Sequence, residues 1–224
     1  MTTSINHAYV NALLADASYV ENLVNGQTGQ LLLENISLIN RLTPTQARFI
    51  ADNFTVVSVE DKPDLLGSSF EGVVWRGNEG TPYAGQTYVS LRGTQPGMDF
   101  LVDVDIAVMG AARAQFVDMV NWWLRITTPT NNQALQIREK ASLTLGPDGK
   151  VQYFELAPSV TGEGLLPQGT AVHINGHSLG GHLGSAFARI FGQVTPVTSV
   201  STYNSAGFLP GSEAVFQDLQ RLLG

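Results

Sequence analysis

Thr170-Ala171-Val172-His173-Ile174-Asn175 is a short, β-branched, apolar run of strand type, and it leads straight into Gly176-His177-Ser178-Leu179-Gly180-Gly181. Beyond the glycines, Leu183, Ala186, Phe187, Ile190 and Phe191 recur at i, i+3, i+4, i+7 and i+8, the stripe of an amphipathic helix. A strand, a glycine-flanked serine and a helix in immediate succession leave few folding options. The turn must be sharp and the two elements must lie close together, which the missing Cβ atoms of glycine permit. Such a turn lifts the Ser178 hydroxyl into a cleft at the strand end. It also aims the Leu179 backbone N–H, at a helix N-terminus, toward any negative charge that develops there. In a chain with 23 glycines the G-x-S-x-G pattern alone is weak evidence, and the flanking strand and helix give it weight. The competing reading is a glycine-rich strand-to-helix turn with an incidental serine.

The rest of the chain alternates helical and strand patterns. From Asn6 to Leu23, the residues Val10, Leu13, Leu14, Ala17 and Val20 fall on one helical face. Thr43-Pro44 reads as an N-cap followed by proline in the first helical turn. Strand-like runs follow at Thr55–Val59, Phe70–Trp75 and Thr87–Leu91, and a long helical pattern covers Asp99 to Ile126. Gly146-Pro147-Asp148-Gly149 marks a hairpin turn between Ser142–Leu145 and Val151–Leu156. After the Ser178 turn come a strand at Val197–Tyr203 and a final helix with Val215, Phe216, Leu219, Leu222 and Leu223 on one face. No repeat, low-complexity tract or linker interrupts residues 1–224. The expectation is one α/β domain, a mostly parallel central sheet with helices on both faces and the Ser178 strand near its middle.

Composition narrows the chemistry. A net charge of −7 with only 12 scattered basic residues argues against nucleic-acid binding. The absence of cysteine removes disulfides, thiolate metal sites and cysteine nucleophiles together. His173, His177 and His182 lie close in number, but His173 and His177 are expected on different elements and no H-x-x-x-H on a helix with a third ligand presents itself, so no metal site is expected. Asp99, Asp103 and Asp105 lack the loop spacing of an EF-hand. The first residues carry neither a basic region nor an apolar run of the cleavable-leader type.

Tyr88-Val89-Ser90-Leu91-Arg92-Gly93-Thr94 is a second informative segment, a strand ending in an Arg-Gly-Thr corner and followed by Asp99, Asp103 and Asp105. The Thr94 N–H and hydroxyl could complement the Leu179 N–H as a second donor, with Arg92 paired to one of those aspartates. The bland alternative is a strand-end turn before a solvated acidic helix start. Together, the R-G-T corner with its trailing acids and the G-H-S-L-G-G turn resemble the class 3, fungal-type triacylglycerol lipase family. The resemblance covers about Val89 to Gly207, and the helix around Leu13–Val20 is similar to the first helix of such domains. It implies an α/β-hydrolase fold and cleavage of carboxylic ester bonds in lipids. In that reading Ser178 is the nucleophile, and Thr94 and Leu179 form the oxyanion hole. The expected partners are a lipid or ester substrate and, transiently, a membrane or lipid-droplet surface, while oligomeric state stays open. The cysteine-free acidic composition is also similar to that of bacterial secreted RTX-type lipases, which leads to an expectation of a secreted protein, with a cytoplasmic one as the alternative.

The chain departs from that family in one respect. A serine needs a histidine to take its proton and an acid to orient the histidine, in the order Ser, Asp or Glu, His. The only histidine after Ser178 is His182, and helical geometry carries it away from the hydroxyl. His177 sits in the turn, His173 on the incoming strand and His7 in the first helix, and none is expected to act as the base. Asp218 and Glu213 fall on the final helix and read as its solvated face. The expectation is therefore an N-terminal portion of a longer chain, its sheet stopping before the last strands. The triad acid and histidine would lie beyond residue 224, as would any calcium site. The alternative is a catalytically inactive hydrolase-like domain that binds a lipid or a protein. Met98, Phe100, Leu101, Val102 and the pair Trp122-Trp123 are candidates for an apolar lid, with a core role preferred.

Overall fold

The computed structural model describes residues 2–61, 70–93, 104–208 and 211–224, with side chains from Asn6 onward and, in the long helix, from Arg113. Four helices come first: α1 (Thr2–Ala17), α2 (Gly29–Leu33), α3 (Ile36–Arg41) and α4 (Pro44–Asn53). The start of α4 follows from its sequence. The Thr43 hydroxyl accepts from Gln46 N–H at 3.4 Å while the Gln46 side chain accepts from Thr43 N–H at 3.0 Å, and Pro44 occupies the first turn. Strands β1 (Phe54–Asp61), β2 (Glu71–Gly77) and β3 (Thr87–Leu91) precede the long helix α5 (Val104–Thr127). The hairpin β4 (Gln133–Leu145) and β5 (Val151–Thr161) leads to β6 (Val172–His177), α6 (Leu179–Phe191), β7 (Val197–Tyr203) and α7 (Ser212–Leu223).

The protein is α/β, with a mixed five-stranded sheet in the order β1-β2-β3-β6-β7 and a separate two-stranded hairpin. The mostly parallel sheet expected from the alternating pattern is corrected here. β1–β2 and β2–β3 pair antiparallel, and only β3–β6 and β6–β7 pair parallel. The physical reason is the connections: residues 78–86 between β2 and β3 carry no helix, whereas each parallel pair is joined through a helical crossover. β6 has a parallel neighbour on each side, so the strand leading to Ser178 is buried between two others.

Alternation along the strands divides the sheet into two apolar faces. Val74, Val89, Leu91, Val172 and Ile174 join Trp122, Trp123, Leu183, Phe187 and Phe216 in a core made with α5, α6, α7 and the hairpin. Val73, Trp75 and Tyr88 face the other way, against Val10, Leu13, Leu14, Ile50 and Phe54 of α1, α4 and the start of β1. Each fully buried aliphatic or aromatic side chain contributes about 1.5–3 kcal/mol. Trp122 and Trp123 are core residues, as preferred: their indole N–H groups donate to Ser58 at 3.0 Å and Thr195 at 3.2 Å. Met98, Phe100, Leu101 and Val102 lie outside the described residues. Among the described residues no helix is long and apolar enough to cross a membrane.

Asp218 does not lie on a solvated face. It is only 4 % exposed, and one carboxylate oxygen accepts from Tyr153 N–H at 2.6 Å and Phe154 N–H at 2.9 Å. Its other oxygen takes Arg221 at 2.6 Å, so this acid fastens α7 to β5. Glu213, by contrast, is exposed and pairs with Arg189.

Candidate active site

Ser178 stands between β6 and α6, at the C-terminal edge where β3, β6 and β7 end side by side. Leu91 is level with Gly176, and His177 is level with Tyr203. This is the edge where open α/β sheets present their ligand sites. The Ser178 backbone has φ 56° and ψ −125°, a positive-φ conformation rare for a residue with a Cβ. Its N–H donates to the Tyr203 carbonyl at 2.9 Å, which ties the turn to β7. The side chain makes no cap bond to α6, and among the described residues the hydroxyl has no hydrogen-bond partner. The residue is half-buried.

The surrounding glycines are required by distance. A Cβ at Gly176 would lie 2.3 Å from the Gly180 carbonyl oxygen, and one at Gly180 would lie 2.0 Å from the Leu91 oxygen. At Gly181 it would meet Ser205 at 2.8 Å. The sequence thus folds locally into the tight strand–serine–helix turn its pattern predicts. The first turn of α6 is left with unpaired donors. Gly181 N–H and His182 N–H bond the Ser178 carbonyl at 3.0 and 3.3 Å, but Leu179 N–H and Gly180 N–H have no acceptor among the described residues. The Leu179 N–H, the expected oxyanion donor, is thus one of two that lack an acceptor among the described residues. Thr94, the other expected donor, lies outside the described residues. So do Asp99 and Asp103, and the side chain of Asp105. The described partner of Arg92 is Glu71, on the neighbouring strand, and not a following aspartate. Burial pulls the Arg92 guanidinium below its ordinary pKa, against the opposing pull of Tyr19 and Asp61.

The structure brings none of the four histidines to the Ser178 hydroxyl. His173 is five residues back along an extended strand, about 16 Å at 3.3 Å per residue. It bonds Ser199 at 2.8 Å, stacks on Tyr88 and meets His7 at 4.6 Å between ring centroids. Burial and then the neighbouring His7 hold its pKa below the usual imidazole value. His182 is 2 % exposed, stacked on Phe116 and in contact with Phe208, with burial lowering its pKa against hydrogen bonding to the Ala206 and Gly207 backbone. His177 ends the same strand, β6, that carries His173, not a different element as expected, because the extended backbone runs right up to Ser178. It is exposed and turned toward Tyr19, 6.5 Å between ring centroids. Among the described residues no cluster of histidine and acidic side chains is arranged to hold a metal ion. Two clefts among the described residues lie away from Ser178. One of about 450 Å³ separates the hairpin turn from α7, and one of about 270 Å³ lies beside Trp123 and Phe191.

Sequence reasoning missed one feature of this edge, the contact of Tyr19 with both Gly93 and His177. The residues are far apart in the chain, and no local pattern announces that α1 ends beside the serine.

No protein-family model matches the chain, and no curated protein does. Among solved structures it is similar to the M37 lipase crystal structure, at 13 % identity and a TM-score of 0.37. The likeness covers 87 % of this chain and 57 % of that one, so the chain spans less than two thirds of that lipase's length. At this level the likeness carries no weight for mechanism.

Proposed function

We propose that this chain carries the nucleophilic half of a serine carboxylic-ester hydrolase acting on lipid esters. The supporting observation is Ser178 itself, a serine held at φ 56° between glycines, at the C-terminal end of parallel strands, with its hydroxyl unbonded among the described residues. A merely structural turn of that shape suits glycine, and strain of about 1–3 kcal/mol in a residue with a reactive side chain points toward function. In the reaction, Ser178 Oγ attacks the ester carbonyl carbon as a base takes its proton. The carbonyl oxygen becomes an oxyanion received by the N–H groups of Leu179 and Thr94. The alcohol departs with the proton, and water then releases the acid by the same route in reverse. The base is a histidine oriented by an acid, supplied by residues after Gly224. The lipid character of the ester rests on the resemblance of the R-G-T and G-H-S-L-G-G motifs to class 3 lipases.

One observation favours a second reading, a domain that binds a lipid or protein without turnover. No histidine among the described residues reaches Ser178. A fluorophosphonate probe separates the two. The 224-residue chain and the polypeptide extended by its downstream reading frame are treated alongside their Ser178→Ala variants, and covalent mass addition is measured. Labelling of either protein that disappears in Ser178→Ala is the expected result. Folded protein that stays unlabelled in both lengths overturns the hydrolase reading, and a stop codon directly after Gly224 overturns the assignment of the base.

A further inference from the structure

Tyr19 lies just past the end of α1, yet its hydroxyl reaches two strand ends at once. It accepts the Gly93 N–H at 3.1 Å and donates to the His177 carbonyl at a longer 3.4 Å. Gly93 leaves β3, and the His177 carbonyl belongs to the peptide that enters Ser178. A Cβ at Gly93 would lie 2.9 Å from the Tyr19 oxygen and 2.8 Å from that carbonyl oxygen, so glycine is what lets the phenol in. Two cations lie over the ring, with the Arg41 guanidinium 4.6 Å and the Arg92 guanidinium 5.2 Å from its centroid. Arg41 is fixed in turn by Asp16, and Arg92 by Glu71.

The His177–Ser178 peptide is therefore gripped at both ends. Its oxygen takes the Tyr19 hydroxyl, and its nitrogen donates to the Tyr203 carbonyl at 2.9 Å. The orientation of that peptide plane is one of the two determinants of the Ser178 φ. Rotating the plane toward relaxed values would break both bonds. We infer that Tyr19 is a positioning residue, which clamps the His177–Ser178 peptide and so holds the serine in its strained, exposed conformation. This rests on the reading of Ser178 as a nucleophile. Burial raises the Tyr19 pKa above its ordinary value, against the Gly93 bond and the two arginines, so the O–H is present to donate at neutral pH.

Tyr19→Phe removes the hydroxyl and keeps the ring beside its two arginines. Amide hydrogen exchange is followed at Gly93 and Ser178 in the 224-residue chain, and fluorophosphonate inactivation is measured over a range of probe concentrations in whichever length, 224 residues or extended, takes the label. Exchange at both amides should accelerate about three- to tenfold in Tyr19→Phe, the factor that one net hydrogen bond supplies. The maximal inactivation rate should fall by a similar factor at unchanged probe affinity, a split that general destabilisation does not produce. Unchanged exchange at both amides overturns the clamp. Accelerated exchange with an unchanged maximal inactivation rate overturns the positioning role. If the wild-type protein takes no label in either length, the nucleophile reading fails, while the exchange measurement still decides whether Tyr19 holds the peptide.

Discussion

Replacing Ser178 with glycine should make the protein more stable while abolishing reaction at the turn. The serine sits at φ 56° and ψ −125°, where a Cβ costs about 1–3 kcal/mol. Glycine adopts this conformation without that penalty. Against the gain stands the greater freedom of glycine in the unfolded chain, about 0.4–1 kcal/mol. The hydroxyl makes no hydrogen bond among the described residues, so its removal subtracts nothing further. The net expectation is a stabilisation of about 1 kcal/mol, or about 2–4 °C in Tm for a domain of this size. Ser178→Ala is the reference, because it loses the same hydroxyl but keeps the Cβ and therefore the strain. Urea unfolding followed by tryptophan fluorescence reads the difference as a shift in midpoint at constant slope. A Ser178→Gly protein no more stable than Ser178→Ala would refute the reasoning. The backbone at 178 would then be unstrained, and the main support for a nucleophile would go with it.

Gly180→Ala places a Cβ 2.0 Å from the Leu91 carbonyl oxygen, a backbone atom that cannot step aside without moving β3. The expected loss is about 3 kcal/mol or more. Gly207→Ala, which enters open space, should stay within about 0.5 kcal/mol, and thermal melts of the pair compare the two. His173 gives a pH signature. Burial and His7 lower its folded-state pKa below the unfolded value of about 6.5, so the fold favours the neutral ring. Its contribution is complete above about pH 6.5 and is lost as pH falls through the depressed folded value. Stability should therefore rise with pH in that window, and His173→Gln should flatten the slope. Identical slopes in denaturant titrations of the two proteins would contradict this.

Much of the fold was legible because it is written in local periodicity. β3 and β7 match their predicted limits, Thr87–Leu91 and Val197–Tyr203, and Thr43-Pro44 caps α4 as read. The first helix ends at Ala17, yet Val20 and Leu23 still enter the core by way of the turn that follows. The hairpin is longer than its turn signal suggested. β4 begins at Gln133, in a stretch of Gln, Leu, Arg, Glu, Lys and Ala whose intrinsic preference is helical. Pairing with β5 overrides that preference, as cross-strand contacts commonly do. Strand direction was illegible for a related reason, since it depends on which connections lack a helix. At the candidate site, the strand–serine–helix turn around Ser178 and Leu179 was readable from its local pattern. The long-range contacts of Asp218 and Tyr19 were not, because each reaches partners more than 60 residues away in sequence.

Close packing around Ser178 explains how its strain persists. The glycines at 93, 176, 180 and 181 let β3, β6, α6 and the segment at Ser205 approach within distances that no Cβ tolerates. That approach fixes both ends of the turn, so the φ of the residue between them is not free to relax. Glycine thus occupies four positions where neighbours crowd, and serine occupies the one position whose own dihedral most favours glycine. The serine gains nothing locally in return, having neither a cap bond nor a side-chain partner among the described residues. A turn serving architecture alone would be more stable with glycine at 178. That asymmetry favours a hydroxyl kept for its chemistry over an incidental one, and it holds whichever residues supply the proton acceptor.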